Sequence, residues 1–172
     1  MGGGLLVLSM GSAVGQEVVL RATAGSGFSD GYGTGLGASA GIEFPFLRDR
    51  TWFVGGRFMH HGGGDAELPE SLGGPDTPGT VSQVHYGLEF GATWISSPVI
   101  LRTSGGIGIA RLTGETTDGT KTSSNELLLG PGFILAVPMA DDAAFLGIEL
   151  KWHRVQNYDS SLALYGTLGL KL

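Results

Sequence analysis

The sequence predicts an all-β chain folded as a closed, up-and-down barrel of eight antiparallel strands that crosses a membrane. Three observations lead there. Only 15% of the 172 residues are charged and the mean hydropathy is +0.17, whereas a soluble domain carries about 25% charged residues. No apolar run approaches the roughly 18 residues of a spanning helix. From Gln16 onward, apolar residues alternate with small or polar ones, the period of strands with two unlike faces. Inside hydrocarbon every backbone N–H and C=O must be satisfied within the protein, which only helices and closed barrels achieve. With the helix excluded, the barrel remains.

The alternation places strands at about 16–28, 34–46, 51–62, 81–96, 98–114, 123–139, 143–156 and 160–172. Each covers the ~9–11 tilted residues that a membrane strand needs. The connections alternate in length. Leu47–Arg50, Ser96–Pro98 and Ala140–Asp142 read as tight turns, and Ser29–Gly33, Gly62–Thr80 and Glu115–Thr122 as longer links, with a shorter one at Asn157–Ser160. The longest link is rich in Gly and Pro and carries Asp65, Glu67, Glu70 and Asp76, so no regular structure is expected in it. Residues 1–15 read either as a signal-peptide remnant or as a flexible arm. Leu5-Leu6-Val7-Leu8 would be its apolar core, and Ala13-Val14-Gly15 a small-residue cleavage site before Gln16. Residues 16–172 form a single barrel domain.

One face of these strands is apolar and suited to lipid. Its large aromatics fall in two groups: Phe44, Trp52 and Trp94 toward the tight turns, and Phe58, Tyr86 and Trp152 toward the longer links. Two such girdles bracketing an apolar band match the preference of amphipathic rings for membrane interfaces. Arg111 and Arg154 lie near the link end of this face, where long side chains snorkel to headgroups. Pro131 removes a ladder donor within the sixth strand, and a bulge is expected there.

The opposite face holds Gly, Ala, Ser and Thr with isolated charges of both signs: Arg21, Glu43, Arg57, Glu89, Arg102, Glu126, Glu149 and Lys151, with His85 and His153. Eight strands enclose a space that side chains alone fill, which demands small residues. The expectation is a network of buried ion pairs among Arg21, Glu43, Arg57, Glu89, Arg102, Glu149 and Lys151, because an unpaired buried charge costs roughly 3–5 kcal/mol. Arg57 and Glu89 should come level.

The pattern over Gln16–Leu172 resembles the small bacterial outer-membrane barrels of the OmpA/OmpX and opacity-protein type. The last segment, Leu162-Ala-Leu-Tyr-Gly-Thr-Leu-Gly-Leu-Lys-Leu172, is similar to the C-terminal strand by which the barrel-assembly machinery recognises such proteins, although Leu172 stands where the family usually has Phe or Trp. The resemblance implies the outer membrane as location, short periplasmic turns, longer extracellular loops, and the lipid bilayer and lipopolysaccharide as partners. A monomer is expected, since a closed barrel has no free edge. Family members serve as anchors, adhesins, defence factors or narrow conduits, and fold does not choose among them. The first expectation is a non-enzymatic membrane anchor or surface-interaction barrel with a charge-plugged interior. The alternatives are a narrow porin-like conduit for ions or small hydrophobic solutes and, behind both, a lipid A-modifying hydrolase.

Chemistry is sparse. Some barrels of similar build act on lipid A, one branch with a His and a Ser two residues apart. Here His153 is followed by Val155, and Glu149, His153 and Ser161 would meet only through loop geometry. A second branch uses His, Asp and Ser near the outer rim, for which His60, His61, Asp65 and Ser82 supply residue types without an arrangement. No catalytic residue is therefore assigned. Adjacent His60 and His61 point to opposite faces of a strand and cannot converge on a metal, so no metal site is assigned. The Gly62-Gly63-Gly64 run lacks the Lys-Ser/Thr and helix of a phosphate loop. The chain has no cysteine, which excludes disulfides and thiol chemistry. A net charge of −6 without a basic cluster argues against nucleic acid, and no cofactor is implied.

Overall fold

A computed structural model describes residues 16–29, 31–47, 50–73, 77–96, 98–158 and 160–172. The segment read as a signal remnant or arm, residues 1–15, lies outside the described residues, as do Asp76 and, within two of the tight turns, residues 48–49 and 97.

The described residues form nine strand segments: β1 (Glu17–Gly27), β2 (Thr34–Leu47), β3 (Arg50–Leu68), β4 (Thr77–Ser96), β5 (Val99–Thr116), β6 (Lys121–Leu129), β7 (Gly132–Met139), β8 (Ala144–Val155) and β9 (Ser161–Lys171). Every pairing is antiparallel. β1 through β5 pair in succession, β6 and β7 both lie between β5 and β8, and β9 joins β8 back to β1. The ring is closed. β6 and β7 are two halves of one barrel strand, so the architecture is the eight-stranded barrel that the sequence predicts.

The break between β6 and β7 falls at Gly130-Pro131, but the expected bulge is absent. Ile107 pairs with Leu129 and Ser104 with Gly132, three residues further along each strand. On the other side Leu129 pairs with Arg154 and Gly132 with Lys151, again three for three. Pro131 costs a donor without shifting the register, and its carbonyl still accepts from the Trp152 N–H at 2.9 Å. A proline ring that can point outward needs no extra residue to be accommodated.

A second difference concerns the long link. β3 runs on to Leu68 and β4 starts at Thr77, with a short 3-10 turn at Glu70–Leu72 between them. The expectation of an irregular Gly62–Thr80 segment is corrected: its two flanks pair from Gly64↔Val81 to Leu68↔Thr77 after one irregularity beyond His61. Here the alternation Asp65, Glu67 outside and Ala66, Leu68 inside continues the strand pattern through the acidic residues. β3, β4 and β5 have 19, 20 and 18 residues, well beyond the ~9–11 that a bilayer needs.

The outward face is apolar around the ring. Leu88, Phe90, Ile107, Val137, Leu146, Ile148 and Leu168 are among its exposed large hydrophobics. Phe44 and Trp52 are cross-strand partners, as are Phe58 and Tyr86. Tyr86 and Trp94 on β4 are eight residues apart, about 26 Å along the strand and roughly 20 Å along the axis of a barrel tilted by 35–45°. That interval is close to the ~25 Å apolar band of outer-membrane barrels. The Arg50 guanidinium lies over the Trp94 ring, 3.9 Å from its centroid, at the turn end. Arg111 and Arg154 are exposed at the loop end of the same surface.

Candidate functional site in the barrel interior

The inward face is built by pairing glycines with large side chains. A Cβ at Gly169 would collide with the Phe145 ring, one at Gly25 would lie 2.8 Å from that of Tyr165, and one at Gly41 2.6 Å from that of Phe53. The absent Cβ atoms make the volume into which these rings fold.

From the turn end upward the filling comes in layers. Val19, Phe53, Ile134, Ala136 and Phe145 form an apolar floor. Beside it the Arg102 guanidinium, 4.9 Å from the Phe53 ring centroid, pairs with Glu43 and donates from Nε to Thr93 Oγ1 at 2.9 Å. The middle layer joins four strands. Arg21 pairs with Glu89. Arg57 donates to both oxygens of Glu149 at 2.6 and 3.0 Å and reaches Glu89 at 3.3 Å. Lys151 Nζ lies 2.9 Å from Glu89 and 3.7 Å from Glu149. Met59, Ala163 and Tyr165 pack above this layer. His61, His85 and His153 follow, with Tyr32 stacked on His153. Leu68, Leu72, Val81, Ala110, Leu112 and Val155 close the loop end, Leu72 entering from the 3-10 turn. Near Arg57, Glu89 and Lys151 lies a cavity of about 30 Å³, room for about one water. A larger cavity of about 140 Å³ lies at the turn-end mouth, beside Glu43, Arg102 and Phe145.

The structure thus brings together all seven charges singled out from the sequence, Arg21, Glu43, Arg57, Glu89, Arg102, Glu149 and Lys151. They fall into two groups, and the main partner of Arg57 is Glu149, with Glu89 the more distant. Glu126 stands apart, near the outer rim, where it accepts from Asn157 Nδ2 at 3.1 Å. The inward rings Phe53, Phe145 and Tyr165 were not anticipated. Their signal was available, since each sits on the inward phase of its strand and faces an inward glycine.

The residue sets considered for hydrolysis do not assemble. Ser161 pairs with His153 in register, but its Oγ donates to the Leu162 carbonyl at 3.2 Å. His153 Nε2 is engaged by the Tyr165 hydroxyl at 2.9 Å, and Glu149 by Arg57. His60 faces outward while His61 is buried inside, and Ser82 is on the outward phase of β4, away from His61.

No protein-family model and no curated protein matches the sequence. Solved structures do match in shape. The chain is similar to Ail, the attachment invasion locus protein of Yersinia pestis, with a TM-score of 0.58 at 16% identity, over 91% of this chain and 97% of that one. It is similar to the N-terminal β-barrel domain of Pseudomonas aeruginosa OprF, with a TM-score of 0.57 at 11% identity over 91% and 97%. A major outer membrane protein of Thermus thermophilus gives 0.61 at 15% identity over 91% and 99%. The chain therefore has the fold of the small bacterial outer-membrane β-barrels.

Proposed function

We propose that the chain is a non-enzymatic outer-membrane barrel, a membrane anchor that holds its loop-end rim outside the cell and does not conduct. The observation that carries this reading is the middle layer, in which Arg21, Arg57, Lys151, Glu89 and Glu149 meet across the lumen. Desolvated charges with bidentate geometry hold their partners in place, and apolar layers seal the lumen below and above them. A conduit would need a continuous polar path, and the cavity beside Arg57, Glu89 and Lys151 holds about one water. A hydrolase would need a nucleophile hydrogen-bonded to its base, and Ser161 and His153 are each engaged elsewhere.

The partners follow from the surface. The apolar belt meets acyl chains, and Arg111 and Arg154 are placed for the anionic groups of lipopolysaccharide. The C-terminal strand β9 would present the assembly signal. Closure of the ring by β9 and β1 leaves no free strand edge among the described residues, so we propose a monomer. The test is a planar-bilayer recording of the purified barrel, where no stable conductance is expected. Discrete, repeated openings of a single size would overturn the closed-lumen reading.

A further inference from the structure

We propose that His61, His85 and His153 form a buried binding site for a zinc-class transition metal ion inside the barrel. The three imidazoles come from the neighbouring strands β3 and β4 and from β8 across the lumen, and each is buried. One ring nitrogen from each lies within 4.8 Å of the others, and ring centroids are 5.0 to 5.6 Å apart. A tetrahedral zinc ion with Zn–N of about 2.0–2.1 Å holds its nitrogens about 3.3 Å from one another, which asks each ring to move by about 1 Å at most.

The hydrogen bonds around the rings point the same way. Gln83 donates from Nε2 to the Gly31 carbonyl at 3.3 Å, which turns its Oε1 toward His85 Nε2 at 2.9 Å. A carbonyl oxygen can only accept, so His85 carries its proton on Nε2 and leaves a bare lone pair on Nδ1. His153 Nε2 meets the Tyr165 hydroxyl at 2.9 Å, and that hydroxyl also reaches His61 Nε2 at 3.2 Å. The Nδ1 atoms of His85 and His153 are buried with no hydrogen-bond partner. A ligating histidine characteristically donates its other N–H to an oxygen that fixes tautomer and ring orientation; Gln83 and Tyr165 supply that oxygen here. The lone pair left on His85 Nδ1 is unsatisfied in a dry interior, which is costly, and a metal ion satisfies it. Imidazole sets of this kind suit zinc, copper and nickel. Arg57 and Lys151 are the cations facing the site from below, with Glu149 and Glu89 paired to them, which favours an anion such as hydroxide or chloride as the fourth ligand. The apolar layer of Leu68, Leu72 and Leu112 covers the loop end, so the ion enters as the barrel folds.

The test refolds the full chain into detergent micelles with ZnCl2 or CoCl2, strips loose metal by gel filtration through a mild chelator, and counts what remains. One tightly held ion per chain is expected. His153→Gln, with folding verified by its gel shift on boiling, should weaken binding more than about a hundredfold, beyond the loss of an outer partner. Gln83→Leu should cost about 10–100-fold, and the outward His60→Ala nothing. Folded wild-type chain emerging without metal would overturn the site, as would folded His153→Gln keeping wild-type affinity. If His153→Gln does not fold, the cobalt spectrum of the wild type decides: intense tetrahedral bands support the site, and weak octahedral absorption from surface carboxylates overturns it.

Discussion

Glu89 is the residue on which the interior depends most. Its carboxylate is 1% exposed and faces three cations, Arg21, Arg57 and Lys151. Replacing it with Gln leaves those three with Glu149 alone. Two of the three keep a partner, since Glu149 binds Arg57 through both oxygens and has Lys151 at 3.7 Å. Arg21 does not; Glu89 is its ion-pair partner, and its Nε and Nη1 already lack hydrogen bonds. Removing one side of a buried pair costs about 3–5 kcal/mol, so Glu89→Gln should lie at the upper end of that range. The compensating change is then Arg21→Met, which also keeps contact with Phe53. The double variant should recover about 2 kcal/mol of the loss, and Glu89→Gln with Arg57→Met should recover less, because it takes the bidentate partner from Glu149 in turn. Urea unfolding in lipid vesicles, followed by tryptophan fluorescence, measures the free energies of the single and double variants. Additivity of Glu89→Gln and Arg21→Met to within about 0.5 kcal/mol would refute the pairing and the argument from it.

Other outcomes follow from the wall of the barrel. Phe90 is exposed on the lipid face midway between the girdle residues Tyr86 and Trp94, so Phe90→Arg should destabilise by about 2–4 kcal/mol. The same substitution at Tyr86, nearer the rim, should cost less; equal unfolding midpoints for the two would contradict the assigned depth. Gly87 and Gly108 are cross-strand partners, and a Cβ on Gly108 would lie 2.7 Å from the Gly87 Cα. Gly108→Ala should therefore cost about 1–3 kcal/mol by overpacking, and a neutral midpoint would show that the strands can part freely. Pro131→Ala restores the missing backbone donor, and the new amide should be strongly protected from hydrogen exchange while β5 and β8 keep their register. Rapid exchange at residue 131 would mean that the strand is broken for another reason.

Much of the barrel was legible because its two faces have opposite solvents. On β4, Tyr86, Leu88, Phe90 and Trp94 alternate with His85, Gly87, Glu89 and Thr93, and a slip by one residue would turn Glu89 into lipid. The strand ends were less legible. Around Asp65 and Glu67 the polarity of the outer face changes from lipid to water while the strand itself continues, so the loss of outward apolar residues looked like the end of the strand. The bulge expected at Pro131 failed for a related reason: a sequence shows that a donor is missing, but not that the neighbours tolerate the gap.

The interior chemistry divides in the same way. Alternation alone fixes that His61, His85 and His153 point inward, as it does for Arg57, Glu89 and Glu149, because side-chain direction in a strand is a local property with period two. Which of them share a height is not local. It depends on the stagger between strands far apart in the chain, 68 residues for Arg21 and Glu89 and 92 for Arg57 and Glu149. Adjacent His60 and His61 are parted by the pleat, while His61 and His153 are brought together by closure of the ring. Orientation was thus set by the sequence, through the contrast between hydrocarbon outside and a narrow lumen inside. Partnership was decided by the tertiary structure, since only a closed barrel of fixed stagger brings distant strands to the same level.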